Sequence, residues 1–346
     1  MNESEFDALL QRGYELDEQE QYGEALEVYE QALAKDPQNG EAWYLKGEAL
    51  FSLDRYDDAL DAFDQSLRLD DGESDTWVGK GNALAALDRN EEALDAYEKA
   101  LVIDPNQAVT WLFKGVTLFD MGDNEQALAA YERATALDPR QPEAWSGKGD
   151  VLAEMERSDE ALAAYERALD IDRDNVDAWI GRGDTLADME DPMAALEAFD
   201  HALTLESLNA DAHAGRGDAL ESLDRHDEAL DAYDRALQLD SDNPRAWAGR
   251  AITLASLDRN EEALAAFDQA ITADNENPLL WLFKANILAI LDRPSDALDS
   301  YDHAISLDPS FAWAWQGKAQ VLRELGRPAD AAAAQKRADE LDRESE

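Results

Sequence analysis

The chain has 346 residues, 45% of them apolar, with 79 acids against 30 bases and a formal charge of −49. A chain this acidic lacks the Lys/Arg footprint that nucleic acid or an anionic membrane requires, so neither is an expected partner. There is no cysteine, hence no disulfide and no thiolate metal site. The opening residues MNESEFDALL show neither arm of a signal peptide, and no apolar run nears the roughly 20 residues of a membrane helix; both points favour the cytoplasm.

Along the chain one string, A-W-x-x-K/R-G, recurs every 34 residues: Trp43, Trp77, Trp111, Trp145 and Trp179 carry it, then His213 in place of Trp, then Trp247, Trp281 and Trp315. One step back from Trp43 is Leu9. The frame divides residues 6–345 into ten repeats without insertion or deletion: 6–39, 40–73, 74–107, 108–141, 142–175, 176–209, 210–243, 244–277, 278–311 and 312–345. Each repeat predicts two helices. In the second, an alanine (Ala25, Ala59, Ala93 and their equivalents to Ala331) is followed four residues on by an aromatic and three further on by a small residue, as in Ala59, Phe63 and Ser66. Spacings of four and seven fall on one helix face. Pro37, Pro105, Pro139 and Pro309 stop the second helix, and turns such as Leu53-Asp54-Arg55 separate the two helices of a repeat.

Trp43, Gly47, Leu50, Ala59, Phe63 and Asp70, with their counterparts in the other repeats, resemble the tetratricopeptide repeat over residues 6–345. The resemblance implies an all-α, right-handed superhelical solenoid in which first helices line a concave face. Stacking supplies the core that one hairpin lacks. Two departures stand out. The residue before the glycine, usually aliphatic in the family, is basic in all ten repeats, from Arg12 and Lys46 to Lys318. That position lies within the core stripe, where a charge needs a partner. The acids ending second helices (Asp36, Asp70, Asp104 and equivalents to Asp342) are the expected acceptors. In the last three repeats the glycine becomes Ala251, Ala285 and Ala319, and Gln335 replaces the aromatic of repeat ten, giving it the polar outer face an array end needs.

Signals of chemistry are few. Asp170-Ile171-Asp172-Arg173-Asp174 imitates the start of a calcium loop, but Asn175 and Gly181 stand where the loop needs Gly and Glu. His201, His213, His226 and His303 show no metal-ligand spacing, and His213 is expected as a packed substitute for Trp. No cofactor, metal or nucleophile is singled out, and with every residue from 6 to 345 absorbed by the repeat an enzyme is not expected. The family's C-terminal-carboxylate recognition uses groove Lys and Asn residues. Asn82 and Asn286 match the Asn position, but the lysines are missing.

Function is therefore expected on the first helices, at the second, fifth, sixth, ninth, twelfth and thirteenth positions of each repeat. Repeats five to seven place acids there, including Asp150, Asp184 and Asp218. These suit a basic partner, although acidity spread over nearly the whole chain is read first as adaptation to a salty cytoplasm, with 46 Asp against 33 Glu and only nine Lys. The apolar exceptions are the candidate partner-binding residues: Val109, Leu112, Phe113, Val116 and Phe119 in repeat four; Leu279, Leu282, Phe283, Asn286 and Ile290 in repeat nine; Trp313 in repeat ten. They fall in the least charged repeats, with −2 in repeat four, −3 in eight and nine, and 0 in ten. An apolar patch on an acidic surface marks an interaction site. The reading is a scaffold that binds a protein or peptide; the alternative is a regulatory or assembly subunit docking through its terminal repeats.

Overall fold

A computed structural model describes residues 3–344, and among these every regular element is an α-helix. The helices are α1 (Glu3–Asp17), α2 (Tyr22–Lys35), α3 (Gly40–Phe51), α4 (Tyr56–Leu69), α5 (Ser74–Ala86), α6 (Asn90–Ile103), α7 (Ala108–Asp120), α8 (Asn124–Leu137), α9 (Pro142–Glu154), α10 (Ser158–Ile171), α11 (Val176–Asp188), α12 (Pro192–Leu205), α13 (Ala210–Ser222), α14 (His226–Leu239), α15 (Pro244–Ser256), α16 (Asn260–Ala273), α17 (Pro278–Ile290), α18 (Pro294–Leu307), α19 (Ala312–Glu324) and α20 (Pro328–Glu344). Two bodies are distinguished, residues 1–178 and 179–346. Within each, a first helix packs on its own second helix, which packs on the next first helix. Successive first helices also touch, as α7 does α9 and α17 does α19.

The turn within each repeat repeats with the sequence. Its third residue is left-handed in all ten repeats: Asp or Glu in eight, such as Asp54 (φ 57°), and Gly122 and Gly326 in the others. Asp carries this conformation at modest cost because its short polar side chain bonds locally. The next amide closes a six-to-one bond that ends the first helix, from Arg55 N–H to the Leu50 carbonyl at 3.0 Å and from Arg259 to Leu254 at 2.9 Å.

Packing follows the small residues. The register alanines from Ala25 to Ala297 are fully buried, and so are Tyr29, Phe63, Phe199 and Tyr233 four residues beyond their alanines. In most repeats the ring sits against glycines, where a side chain would leave it no room. A Cβ on Gly47 would lie 2.5 Å from the Phe63 ring, and one on Gly79 of the following repeat 2.7 Å. Tyr233 is held alike between Gly217 and Gly249, at 2.5 and 2.4 Å from the missing Cβ atoms. The indole N–H then ties the first helix back to the preceding turn: Trp43 donates to the Pro37 carbonyl at 3.0 Å, and Trp145 to Pro139 at 3.1 Å. His213 keeps this contact, its Nε2 lying 3.1 Å from the Ser207 carbonyl. The half-buried ring is a packed substitute for Trp, and burial lowers its pKa.

The basic ladder is structural, but its acceptors differ from those the sequence suggested. Lys46 bridges Glu30 at 3.0 Å, Lys80 bridges Asp64 at 2.6 Å, Arg250 bridges Asp234 at 2.8 Å and Lys284 bridges Asp268 at 2.7 Å. Each acceptor directly follows the buried aromatic of the preceding repeat. The acids ending second helices are occupied elsewhere: Asp36 and Asp70 accept the backbone N–H two residues on, at 3.0 and 2.9 Å, and shape the turn to the next repeat. In the eight repeats that carry the Trp, the ladder head group also lies over that ring, with Lys46 Nζ 5.4 Å from the Trp43 centroid and Lys318 Nζ 5.1 Å from that of Trp315. The alkyl stem covers the ring while the charge reaches a half-exposed carboxylate.

Candidate partner-binding face

The first helices present their second, fifth, sixth, ninth, twelfth and thirteenth positions beside one another, because these lie away from the Trp–Gly stripe that meets the second helices. In the N-terminal body the apolar candidates sit on α7. Val116 is 41% exposed, Val109 and Phe119 are half-buried, and Leu112 is buried at 8% within the cluster formed with Leu118 and Tyr131. In the C-terminal body Leu279 on α17 is 42% exposed, Ile290 65% and Trp313 on α19 64%, whereas Leu282 is only 4% exposed and packs in the core. Leu112 and Leu282 are therefore packing residues and not free surface. Helical position put them on the face, but their side chains are taken up by the core clusters beneath it.

Phe113 and Phe283 have a related explanation. They stand at the sixth position, where most repeats carry the glycine that receives the preceding aromatic. Here the rings stack instead, Phe113 on Tyr97 at 6.4 Å and Phe283 on Phe267 at 6.1 Å. Their outer edges remain half-exposed. The identical Trp-Leu-Phe-Lys strings at 111–114 and 281–284 thus share one packing solution and leave an apolar rim on the face.

At the ninth position the face is tied to the tyrosines beneath. Tyr97 donates to Asn82 at 2.8 Å and Tyr301 to Asn286 at 2.6 Å. Both asparagines are thus engaged within their own repeats. Asp150 and Asp218 accept from Tyr165 and Tyr233 in the same way, at 2.8 and 2.6 Å.

Three repeats carry Phe opposite this position; one sets Ile252 there, and the acids of the other two fare differently. In the C-terminal body Asp184 is bridged by Arg245 at 2.7 Å. The same guanidinium binds Asp218 at 2.5 Å and lies 5.9 Å from the Phe199 centroid. Burial raises the Asp184 pKa and the arginine opposes that rise. In the N-terminal body Glu48 lies beside Phe63, which has no hydroxyl to offer, and its carboxylate oxygen would be 2.8 Å from a Cβ on Gly79. Burial, then repulsion from Asp75 and Asp17, lifts its pKa from 4.5 to about 7. Sequence reasoning passed over Arg245 and Glu48. A base among the acids of the second position, and an acid paired by register with Phe instead of Tyr, were the available signals.

His201 and His303 stack on Trp179 and Trp281, with centroids 4.5 and 4.1 Å apart, and not on each other. Among the described residues no group of three or more His, Asp or Glu is arranged to hold a metal ion, and no helix is long and apolar enough to cross a membrane. Where an Arg follows the turn it pairs with an acid three residues on, as Arg89 with Glu92 at 2.7 Å. Such exposed pairs contribute little.

Tetratricopeptide-repeat models match residues 10–74, 114–176 and 180–244, and further models of the same repeat match 220–287, 74–107 and 300–333. No curated protein matches the sequence. The chain is similar in fold to the Cut9–Hcn1 hetero-tetramer of the APC/C, at 15% identity over 92% of this chain and 76% of that one, with a TM-score of 0.66. It is also similar to a tetratricopeptide repeat protein from Parabacteroides merdae, at 15% identity over 72% of this chain and 98% of that one, with a TM-score of 0.58. With family models matching along most of its length and helical hairpins stacking in the same order, the chain belongs to the tetratricopeptide-repeat family.

Proposed function

We propose that this protein is a scaffold that binds a partner protein or peptide on the first-helix face of its C-terminal body, over α15, α17 and α19. The observation that carries this reading is a run of exposed apolar side chains in a chain of charge −49: Leu279, Ile290 and Trp313 are 42%, 65% and 64% exposed. From Ile252 to Gln320 no face position carries a carboxylate, and Arg245, at the start of α15, is already neutralised by Asp184 and Asp218. Water gains most when such side chains are covered, and a prearranged face loses little entropy on binding. The partner segment is therefore apolar along its contact side, and a basic character is not needed there. Val109, Phe113, Val116 and Phe119 on α7 form a smaller candidate patch in the N-terminal body.

The test compares partners captured at native salt by the wild type and by Ile290→Asp and Trp313→Asp. Both substitutions should lower capture at least tenfold and leave helicity unchanged. Leu282→Asp should instead unfold its neighbourhood, because that side chain lies in the core. Capture that survives both exposed substitutions would refute the reading and favour docking through the terminal repeats.

A further inference from the structure

The ladder has a direction. In eight rungs a base at the seventh position of one repeat reaches back to the acid that follows the aromatic of the repeat before, as Lys318 does to Asp302 at 2.5 Å. The acid position is occupied by Glu or Asp in repeats one to nine, from Glu30 to Asp302, and by Lys336 in repeat ten. Lys336 is 79% exposed and its nearest acid is Glu340 on its own helix at 3.4 Å. Beside it Gln335 replaces the ring that the next repeat would cover, held by Arg323 at 2.8 Å and bonded to Asp339 at 3.0 Å. At the other end of the pattern Arg12, on α1, stands at the seventh position with no ion-pair partner among the described residues, and is exposed.

A copy of this chain stacking its first repeat on the outer face of repeat ten would continue the array. It would bring Arg12 to Lys336, base against base, where each inner rung sets base against acid. The same face holds an open cavity of about 520 Å³ bordered by Arg323, Lys336 and Arg343 and by the acids Asp339 and Glu340. We infer that this reversed rung closes the α19–α20 face to further copies of the chain, and that a helix accepted there carries an acid where the array carries its base. Like charges at close range reject a wrong neighbour more effectively than an absent attraction does. The inference is independent of the face proposed for partner binding.

A charge-swap cycle in a Gln335→Tyr background, which restores the aromatic, tests it. Four chains are compared by sedimentation in about 1 M KCl, where long-range repulsion between acidic copies is screened to about 3 Å: Arg12 with Lys336, Lys336→Glu alone, Arg12→Glu alone, and both swaps together. The two opposite-charge combinations should self-associate about tenfold more tightly than the two like-charge ones, the swing expected when one half-exposed pair changes sign. Circular dichroism confirms that each chain is folded, which the exposure of both positions favours. Association that follows either substitution regardless of the other, or four chains that sediment alike, would overturn the inference.

Discussion

Replacing Glu48 by glutamine isolates the cost of a carboxylate held against Phe63 with no tyrosine hydroxyl above it. The native carboxyl titrates at about 7 against 4.5 when free, through burial first and repulsion by Asp75 and Asp17 second. That difference corresponds to roughly 3 kcal/mol, and to about 2 kcal/mol after allowance for solvent reaching the part-exposed group. The sign follows from proton binding. Between pH 4.5 and about 7 the folded chain holds a proton that the unfolded chain has released, so stability falls as pH rises through that window. It is full below the window and lost above it. Glu48→Gln mimics the protonated form, so it should stabilise the N-terminal body by about 2 kcal/mol at pH 8 and by almost nothing at pH 4. Urea unfolding at the two pH values reads the difference, and carbon-detected NMR of the carboxyl reads the midpoint directly. A midpoint near 4.5 would refute the burial argument, as would equal stabilisation at both pH values.

Salt and the ladder give two further tests. With 79 acids against 30 bases, self-repulsion is strong in dilute buffer; the melting temperature should climb between 0.1 and 2 M KCl as the Debye length shrinks from about 10 Å to below about 3 Å, and a flat profile counts against it. Lys148 lies over Trp145 at 5.7 Å and bridges Glu132 at 3.4 Å. Lys148→Ala, which removes stem and charge, should cost about 1–2 kcal/mol, whereas Lys148→Met, which keeps the stem, should cost under about 1 kcal/mol. Equal losses would mean that the charge and not the packing carries the rung.

Most of the fold is legible along the chain because the repeat is written ten times without a gap. Period 34, the Trp–Gly and Ala–aromatic stripes and the turn acids each recur in register, so an error in one repeat is corrected by nine others. The candidate face was less legible for a geometric reason. A helical wheel assigns directions around one helix, but whether a side chain on the face is covered depends on the packing beneath it. Leu112 and Leu282 are taken up by the core clusters, at 8% and 4% exposure, while Val116, Ile290 and Trp313 stayed open.

The same distinction separates the ladder's existence from its wiring. Bases in a core-facing register require nearby acceptors on electrostatic grounds alone, and the sequence determined that much, except at Arg12, which is exposed on α1 and has no ion-pair partner among the described residues. It offered two acidic series in repeats one to nine and no means of choosing between them. The choice was made by tertiary structure: the acid after the aromatic projects toward the following repeat, while the acid ending the second helix turns inward to its own backbone, as Asp36 does to the N–H of Gln38. Arg245 is a further instance, since one guanidinium joins acids from two earlier repeats, 27 and 61 residues back along the chain, that meet only when three first helices lie side by side. Periodicity determines which residues share a helix face; stacking decides which of them touch, because that depends on rotation and advance between hairpins that no single repeat encodes.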